Sequence, residues 1–251
     1  MIFDTHAHYD DIAFDVDRFE LLDKILSDSV GFIVNQGTDV KSSEFSLALA
    51  EHYHGVYAAV GLHPEYLTAF NQKDIDRIRQ LASHPKAVAI GEIGLDYYYD
   101  TPKDVQKAVF CEMLSLAREL QMPVNIHDRE AHGDMLELMR EYQPKGIMHC
   151  FSGSVEMARE LVKLGMYLGI GGVVTFRNAR KAVEVVTDIP LERIVLETDC
   201  PYLTPVPFRS KRNDSSYIIY TAEKIAEIKG LSVEAVLKQT ELNAKSVYGI
   251  E

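Results

Sequence analysis

Cysteine and positive charge are scarce in this sequence. The three cysteines, Cys111, Cys150 and Cys200, stand far apart among 251 residues and form no CxxC pair. Such an odd, dispersed set argues against a disulfide framework and a thiolate zinc knuckle, and it indicates a reducing compartment. The 26 Lys and Arg residues are outnumbered by 38 Asp and Glu, which gives a formal net charge of −12. This charge argues against nucleic-acid binding by bulk electrostatics. A nucleic-acid substrate would require a local basic patch or a metal ion to meet its phosphates.

Long apolar runs are also absent from the sequence. No stretch approaches the roughly 18 apolar residues that a membrane span requires. Asp4, His6 and Asp10 argue against a signal peptide at the start. The composition, 47% apolar and 25% charged, excludes a disordered or fibrous chain. We therefore expect a globular, cytoplasmic protein that makes no use of a membrane.

Short apolar, β-branched runs alternate along the chain with longer segments of helical periodicity. The short runs are nearly continuous in apolar character, which is typical of strands covered on both faces. They predict strands at Ile2–Thr5, Gly31–Asn35, Val56–Val60, Ala87–Gly91, Val124–Ile126, Gly146–Met148, Met166–Ile170 and Ile194–Glu197. Helical periodicity is clearest in Val105–Leu120, where apolar residues recur mostly at three- and four-residue steps. Further helices are predicted at Arg18–Ser27, Ser43–His54, Asp74–Ser83, Glu130–Tyr142, Val155–Leu164, Ala179–Val186, Tyr217–Lys229 and Val233–Tyr248.

Eight strand–helix units in a chain of 251 residues predict an α/β fold, the single-domain (β/α)8 TIM barrel, over residues 1–251. The alternative is a doubly wound open sheet, for which we would expect a glycine-rich phosphate loop after the first strand. The first strand instead runs into Thr5-His6-Ala7-His8, and no GxGxxG or Walker loop follows any predicted strand. The barrel is therefore the favoured fold.

Titratable side chains lie where the predicted strands end. His6 and His8 are two residues apart on a strand, so they point to the same side and can either hold one metal ion or lie side by side on the surface. Other strand ends carry His63, Glu92, His127, His149 and Asp199. In a barrel all of these ends meet at one rim, which is where active sites form. A rim rich in carboxylate and imidazole is costly unless something such as a metal pair balances it.

The chemistry of these ligands restricts the metal. Four histidines (His6, His8, His127, His149) and two carboxylates (Glu92, Asp199) form a mixed nitrogen and oxygen set. Imidazole suits Zn, Fe, Ni or Cu, whereas carboxylate and water suit Mg or Mn. Six ligands are too many for one tetrahedral zinc ion. They suit two divalent ions about 3.5–4 Å apart that share a carboxylate, activate a water molecule and bind a phosphoryl or carbonyl oxygen.

Two further groups of residues are compatible with a nucleic-acid substrate. Tyr97-Tyr98-Tyr99 could stack on bases, or it could belong to a loop packed over the barrel. Arg209, Lys211 and Arg212 form a basic cluster that could neutralise phosphate or simply lie in a solvated loop.

The residues described so far resemble the TatD family of metal-dependent deoxyribonucleases, within the amidohydrolase-like barrels. The resemblance is carried by short blocks that follow one another in order from residue 3 to about residue 248. They are Phe3-Asp4-Thr5-His6-Ala7-His8, Gly61-Leu62-His63-Pro64, Gly91-Glu92-Ile93-Gly94-Leu95-Asp96, Ile126-His127-Asp128-Arg129, His149-Cys150-Phe151-Ser152-Gly153 and Glu197-Thr198-Asp199-Cys200-Pro201. The sequence departs from the family pattern at Ser210, where glycine is usual, and at Ser215-Ser216.

The resemblance implies a function and a set of roles. Members of this family are taken to bind two divalent ions, usually Mg²⁺ but with Mn²⁺ and Zn²⁺ as alternatives here. The ligands implied are His6, His8, Glu92, His127, His149 and Asp199, with Glu92 bridging the two ions. The implied substrate is DNA, often cleaved from the 3′ end of single strands.

From the residues and the resemblance together we predict a two-metal hydrolysis of phosphodiester bonds. Asp199 is the predicted general base, His63 binds phosphate or protonates the leaving oxygen, and Arg209 binds a phosphate that is not cleaved. Two alternatives stay open: a metallohydrolase of an amide, ester or lactone, and a non-catalytic barrel stabilised by metal. The sequence leaves open the metal, DNA versus RNA, exonuclease versus endonuclease, and the oligomeric state.

Overall fold

The computed structural model describes residues 1–250, with side chains described at every position in that range except 68 and 69. These residues form eight strands. They are β1 (Ile2–Ala7), β2 (Val30–Gln36), β3 (Val56–Val60), β4 (Ala87–Asp96), β5 (Val124–Arg129), β6 (Gly146–Met148), β7 (Tyr167–Ile170) and β8 (Ile194–Leu196). Every predicted strand is confirmed, with differences of a few residues at the ends.

Within the described range, nine α-helices follow or separate these strands. They are α1 (Arg18–Asp28), α2 (Val40–His52), α3 (Gln72–Leu81), α4 (Lys103–Leu120), α5 (His132–Tyr142), α6 (Val155–Lys163), α7 (Arg180–Asp188), α8 (Ile218–Lys229) and α9 (Val233–Tyr248). Within residues 1–250, none of them has the length and apolar character needed to cross a bilayer.

The strands form one parallel sheet that curls into a barrel. Their order in the sheet is the order in the chain, β1 to β8. A parallel bridge between Ala7 and Cys200 joins the two ends, and the His8 N–H donates to the Cys200 carbonyl at 2.9 Å. The predicted (β/α)8 barrel is confirmed, and the carboxyl ends of all eight strands meet at one rim.

Strands β4 and β5 run further toward the rim than the sequence pattern indicates. The predicted β4 ends at Gly91, whereas the observed strand continues to Asp96, which pairs with Arg129 of β5. Gly94 permits this close pairing, because its φ is +149° and a Cβ there would lie 2.0 Å from the His127 carbonyl oxygen. The extension places Glu92 and His127 inside hydrogen-bonded strands, which hold both side chains rigidly.

Helix α9 covers the opposite end of the barrel. Ala244 and Tyr248 of this helix pack with an apolar cluster contributed by several strands. The Tyr248 hydroxyl lies 3.1 Å from the Thr5 carbonyl and 3.0 Å from Asn125 Oδ1. Asn243 donates to the carbonyls of Leu191 and Ile194 at 2.8 and 2.7 Å. The barrel is thus closed at its base, and the rim carries the accessible cavity.

Candidate metal centre

The two histidines of β1 reach the centre of the rim together. His6 and His8 alternate with Ala7, so both imidazoles lie on the inner side of the strand end. Their Nε2 atoms are 3.2 Å apart. His6 is fully buried and also stacks on His149, with ring centroids 3.7 Å apart. The side-by-side placement on an exposed surface, which the sequence left open, is therefore excluded.

Glu92 lies between two groups of imidazoles. Its Oε2 is 3.4 Å from His6 Nε2 and 3.5 Å from His8 Nε2. Its Oε1 is 3.1 Å from both His127 Nδ1 and His149 Nε2. The side chain is almost completely buried. Each carboxylate oxygen therefore faces a different pair of nitrogen donors.

Asp199, which follows β8 and precedes the bridge from Cys200 to Ala7, completes the group. Its Oδ1 is 3.7 Å from His6 Nε2 and 3.4 Å from His8 Nε2. Its side chain lines the cavity at the rim and is 19% exposed. The structure thus brings all six predicted ligands to one place. Three overlapping sets within the described residues have donor atoms within 4.8 Å of one another: His6 with His149 and Asp199, His6 with His8 and Glu92, and His63 with Glu92 and His127.

The charges of this cluster favour a bound cation. Among the described residues, no Lys or Arg forms an ion pair with Glu92 or Asp199, and their only ion-pair partners are histidines. Burial opposes the charge of Glu92, but the imidazoles around it hold its pKa well below the usual range. A buried carboxylate that stays ionised among nitrogen donors is a suitable ligand for a divalent ion, whose positive charge balances it. The donor set therefore fits metal binding.

The pKa values of the imidazoles also indicate that this cluster holds positive charge. Burial opposes a charge on His127, yet hydrogen bonds to Asp96 and Glu92 raise its pKa to about 10. Burial likewise opposes a charge on His8, and the carboxylates of Asp199 and Glu92 raise its pKa to about 9. Without a metal ion, positive charge therefore resides on the imidazoles that face the two carboxylates.

Asp96 orients His127, a role that the sequence analysis did not assign to it. The Asp96 Oδ2 is 2.8 Å from His127 Nε2, and Asp96 itself is buried at the end of β4. With Nε2 donating to this carboxylate, Nδ1 of His127 faces Glu92 and can bind a metal ion once it has lost its proton. Asp96 belongs to the same strand-end block as Glu92, so the signal that could have revealed it was present in the sequence.

Glu197 is a second acidic residue beneath the cluster that received no separate role from the sequence. Its Oε1 accepts the N–H of Cys150 at 2.5 Å and lies 3.8 Å from His149 Nδ1. Burial raises the pKa of Glu197 to about 8. Glu197 therefore supports the segment that carries His149. It lies beneath the cluster of predicted ligands.

His63 faces the same carboxylate but has a different hydrogen-bonding state. Its Nδ1 accepts the N–H of Glu65 at 3.2 Å, which leaves the ring proton on Nε2. That Nε2 lies 3.5 Å from Glu92 Oε1. Burial lowers the pKa of His63 to about 3, so the ring is neutral. It presents a hydrogen-bond donor, and not a lone pair, toward the centre.

A cavity of about 840 Å³ opens above the cluster. Its walls include His8, His63, Glu92, His127 and Asp199. Arg209 does not belong to this lining. Its guanidinium lies 3.8 Å from the centre of the Phe176 ring and donates to the Thr204 carbonyl at 3.0 Å. Arg212, its neighbour in the basic cluster, forms a double hydrogen bond with Asp17.

Comparison with known proteins gives matches along the whole chain. The sequence profile of the family described as TatD related DNase matches residues 3–249. An uncharacterized metal-dependent hydrolase of Bacillus subtilis, YabD, is 44% identical over 254 aligned positions that cover 100% of both chains. The 3'-5' ssDNA/RNA exonuclease TatD of Klebsiella pneumoniae is 33% identical, and the alignment covers 100% of this chain and 98% of that protein. The crystal structure of the TatD homologue YjjV from Escherichia coli K12 superposes with a TM-score of 0.93 at 29% identity, covering 100% of this chain and 98% of that one.

Proposed function

This chain belongs to the TatD-related DNase family and is a metal-dependent hydrolase, and from that premise we propose that it cleaves phosphodiester bonds of single-stranded DNA from the 3′ end. The predicted class, a hydrolase acting on ester bonds, agrees with this membership. The observation that carries the proposal is the position of Glu92, whose two carboxylate oxygens face two separate pairs of imidazoles. That arrangement supports two divalent ions sharing one carboxylate.

In this proposal the six clustered side chains hold the ions. His6, His8 and Asp199 are the ligands on the Oε2 side of Glu92, and His127 and His149 are those on its Oε1 side. Divalent ions bound there supply Lewis-acid stabilisation of phosphoryl charge and make a water molecule more acidic. The ions in the proposal are Mg²⁺, Mn²⁺ or Zn²⁺.

Asp199 is the proposed general base. It is more exposed than Glu92 and lines the cavity, so a water molecule in the cavity can reach its carboxylate. Burial opposes its charge, but hydrogen bonding to His8 lowers its pKa, and it is ionised at neutral pH. An ionised carboxylate within hydrogen-bond reach can take the proton of an attacking water molecule.

His63 is the proposed phosphate-binding donor. Because its Nδ1 accepts from the backbone, its Nε2–H points toward Glu92 and the centre of the site. A neutral donor in this position stabilises negative charge that develops on a phosphoryl oxygen. Arg209 keeps the proposed role of binding a phosphate away from the cleaved bond. Its existing contacts with Phe176 and Thr204 make us expect a smaller contribution from it than from the residues on the cavity wall.

The substrate in this proposal rests on relatives. The Klebsiella pneumoniae protein and a second relative from Cronobacter sakazakii, both 33% identical to this chain, are named 3'-5' ssDNA/RNA exonucleases. A cytoplasmic location is part of the same proposal, supported by three cysteines that are all free thiols.

The test is cleavage of a 5′-labelled single-stranded oligodeoxynucleotide by protein stripped with chelator and then resupplied with Mg²⁺, Mn²⁺ or Zn²⁺. We expect no cleavage by the stripped protein and stepwise shortening from the 3′ end with at least one ion. Glu92→Ala should abolish the activity and keep the barrel folded, and Glu65→Ala, which removes a carboxylate at the edge of the cavity, serves as the matched control. Absence of cleavage with all three ions contradicts the proposal.

A further inference from the structure

Three exposed tyrosines stand around the mouth of the cavity. Tyr66, Tyr99 and Tyr202 are 52%, 38% and 56% exposed, and all three line the cavity above the cluster of histidines and carboxylates. They follow three different strands, β3, β4 and β8. We call these three residues the tyrosine rim. Large aromatic side chains left in solvent at the edge of a cavity are typical of binding surfaces.

One member of the tyrosine rim lies close to the candidate metal centre, and another is held in place by a hydrogen bond. The Tyr66 ring is 6.0 Å from the ring of His63, which itself approaches Glu92. The Tyr202 hydroxyl donates to Asp11 Oδ2 at 2.7 Å. A ring that is fixed through its hydroxyl loses little conformational entropy when its face is covered by a ligand.

An unpaired cation lies beside the rim. The Arg129 guanidinium is 3.8 Å from the centre of the Tyr98 ring and 5.7 Å from that of Tyr99. Arg129 lines the cavity, and the described part of the chain shows no ion pair for it. Most surface arginines differ in this respect, since Arg77, Arg140 and Arg159 are each paired with an acid. In a chain of net charge −12, this leaves a guanidinium available for a phosphate next to exposed aromatic rings.

We propose that the tyrosine rim and Arg129 form a binding surface for unpaired nucleobases and their phosphates, on which the substrate strand stacks as it enters the cavity. This inference rests on the proposed function and explains why single strands would be preferred to double strands. Every base has a π-face, so stacking on tyrosine tolerates any sequence. In a duplex the bases are stacked on one another and their faces are not available to the rim. The rim therefore selects single strands without reading sequence.

The experiment separates base stacking from phosphate binding and from cleavage. Binding of fluorescein-labelled (dT)8 to the full chain in chelator is measured by anisotropy, beside an abasic oligomer with the same eight phosphodiester-linked sugars. We expect the wild-type protein to bind (dT)8 at least about fivefold more tightly than the abasic oligomer, because each stacked base contributes. A hairpin duplex should bind no better than the abasic oligomer.

Variants assign the preference to the rim. Tyr99→Leu and Tyr202→Leu should each weaken (dT)8 binding by at least about fivefold and leave abasic binding unchanged. Tyr99→Phe keeps the ring and should bind as the wild type does. Tyr142→Leu, at the C-terminal end of α5 and outside the cavity lining, is the matched control and should have no effect. Arg129→Gln should weaken both oligomers and reduce the salt dependence of binding.

The outcomes distinguish this proposal from the proposed function. Equal binding of (dT)8 and the abasic oligomer, or unchanged binding by both leucine variants, overturns the rim proposal even if the wild-type protein cleaves DNA with metal. Absence of (dT)8 binding also overturns it. Loss of cleavage with every metal while the base-dependent binding persists overturns the exonuclease proposal and leaves the rim in place.

Discussion

A single hydrogen bond to Asp96 fixes the orientation of the His127 ring. Asp96 holds its Nε2, so its Nδ1 faces Glu92. We predict that Asp96→Asn weakens binding of Mn²⁺ by about 10- to 100-fold, because the amide fixes the ring orientation less firmly and lowers its basicity. Titration calorimetry measures the effect. Asp100→Asn, an exposed neighbour in the following loop, should bind as the wild type does, and an unchanged affinity for Asp96→Asn would show that the contact has no positioning role.

The histidine protons predict how metal binding depends on pH. The pKa values of His8 and His127 are raised to about 9 and about 10, so both imidazoles are protonated at pH 7.5 when no metal is bound. A divalent ion must displace these protons. Binding should therefore release about two protons per chain, and its affinity should increase as the pH rises toward 9. Calorimetry in two buffers of different ionisation enthalpy counts the protons, and identical heats in both would contradict the assignment.

At the scale of single residues, the sequence alone predicted the six clustered side chains but not the acidic residues that orient them. The ligand types were recognisable because each one directly follows an apolar run. Asp96 and Glu197 follow the same pattern and were missed as separate functional residues, since their function depends on which nitrogen of a particular imidazole they face. That choice is made by strand pairing and side-chain rotamers, which periodicity does not encode.

Helix α9 is the element whose contribution to stability is most open to test. Asn243 satisfies the carbonyls of Leu191 and Ile194, and its side chain is buried. Asn243→Ala leaves both carbonyls without that donor, and we expect a loss of about 2 kcal/mol in the free energy of unfolding. Urea unfolding measures it. Lys238→Ala, at an exposed position of the same helix, should change stability little, and an equal effect of the two substitutions would refute the role of Asn243.

At the scale of elements, the sequence predicted every strand and every α-helix and misplaced some of their ends. Strand β4 is longer than predicted because the residues after Gly91 continue to pair with β5, a long-range interaction that no local pattern reports. Helix α2 begins at Val40 instead of Ser43, since Asp39 and Ser42 cap it reciprocally. After Val40 its first turn consists of polar residues (Lys41, Ser42 and Ser43), so apolar periodicity alone does not reveal it.

At the scale of the whole molecule, the barrel brings distant parts of the chain into one charged cluster. Ion binding at that cluster should stabilise the folded protein, because the unfolded chain has no preformed site. With metal at about 100 times its Kd, we expect the Tm to rise by about 5–10 °C relative to protein in chelator. Differential scanning calorimetry measures the shift. Glu92→Gln should show a smaller rise, and the same Tm in metal and in chelator would argue against an ion at the rim. A large rise without any hydrolysis would favour the non-catalytic barrel.

The barrel and its family were predictable from the sequence for a general reason. Eight parallel strands place all their carboxyl ends at one rim, so polar residues at those ends must converge once the fold is recognised. The comparisons confirm both the fold and the family. The arrangement of Tyr66, Tyr99 and Tyr202 was not predictable, because it depends on how the segments after β3, β4 and β8 lie over the rim.

We propose that Glu92 joins two divalent ions within the cluster of histidines and carboxylates. Anomalous diffraction from crystals grown with Mn²⁺ is the decisive measurement. We expect two anomalous peaks per chain, one beside each carboxylate oxygen of Glu92, with His6 and His8 at one and His127 and His149 at the other. A single peak, or peaks that Glu92 does not contact, would contradict it.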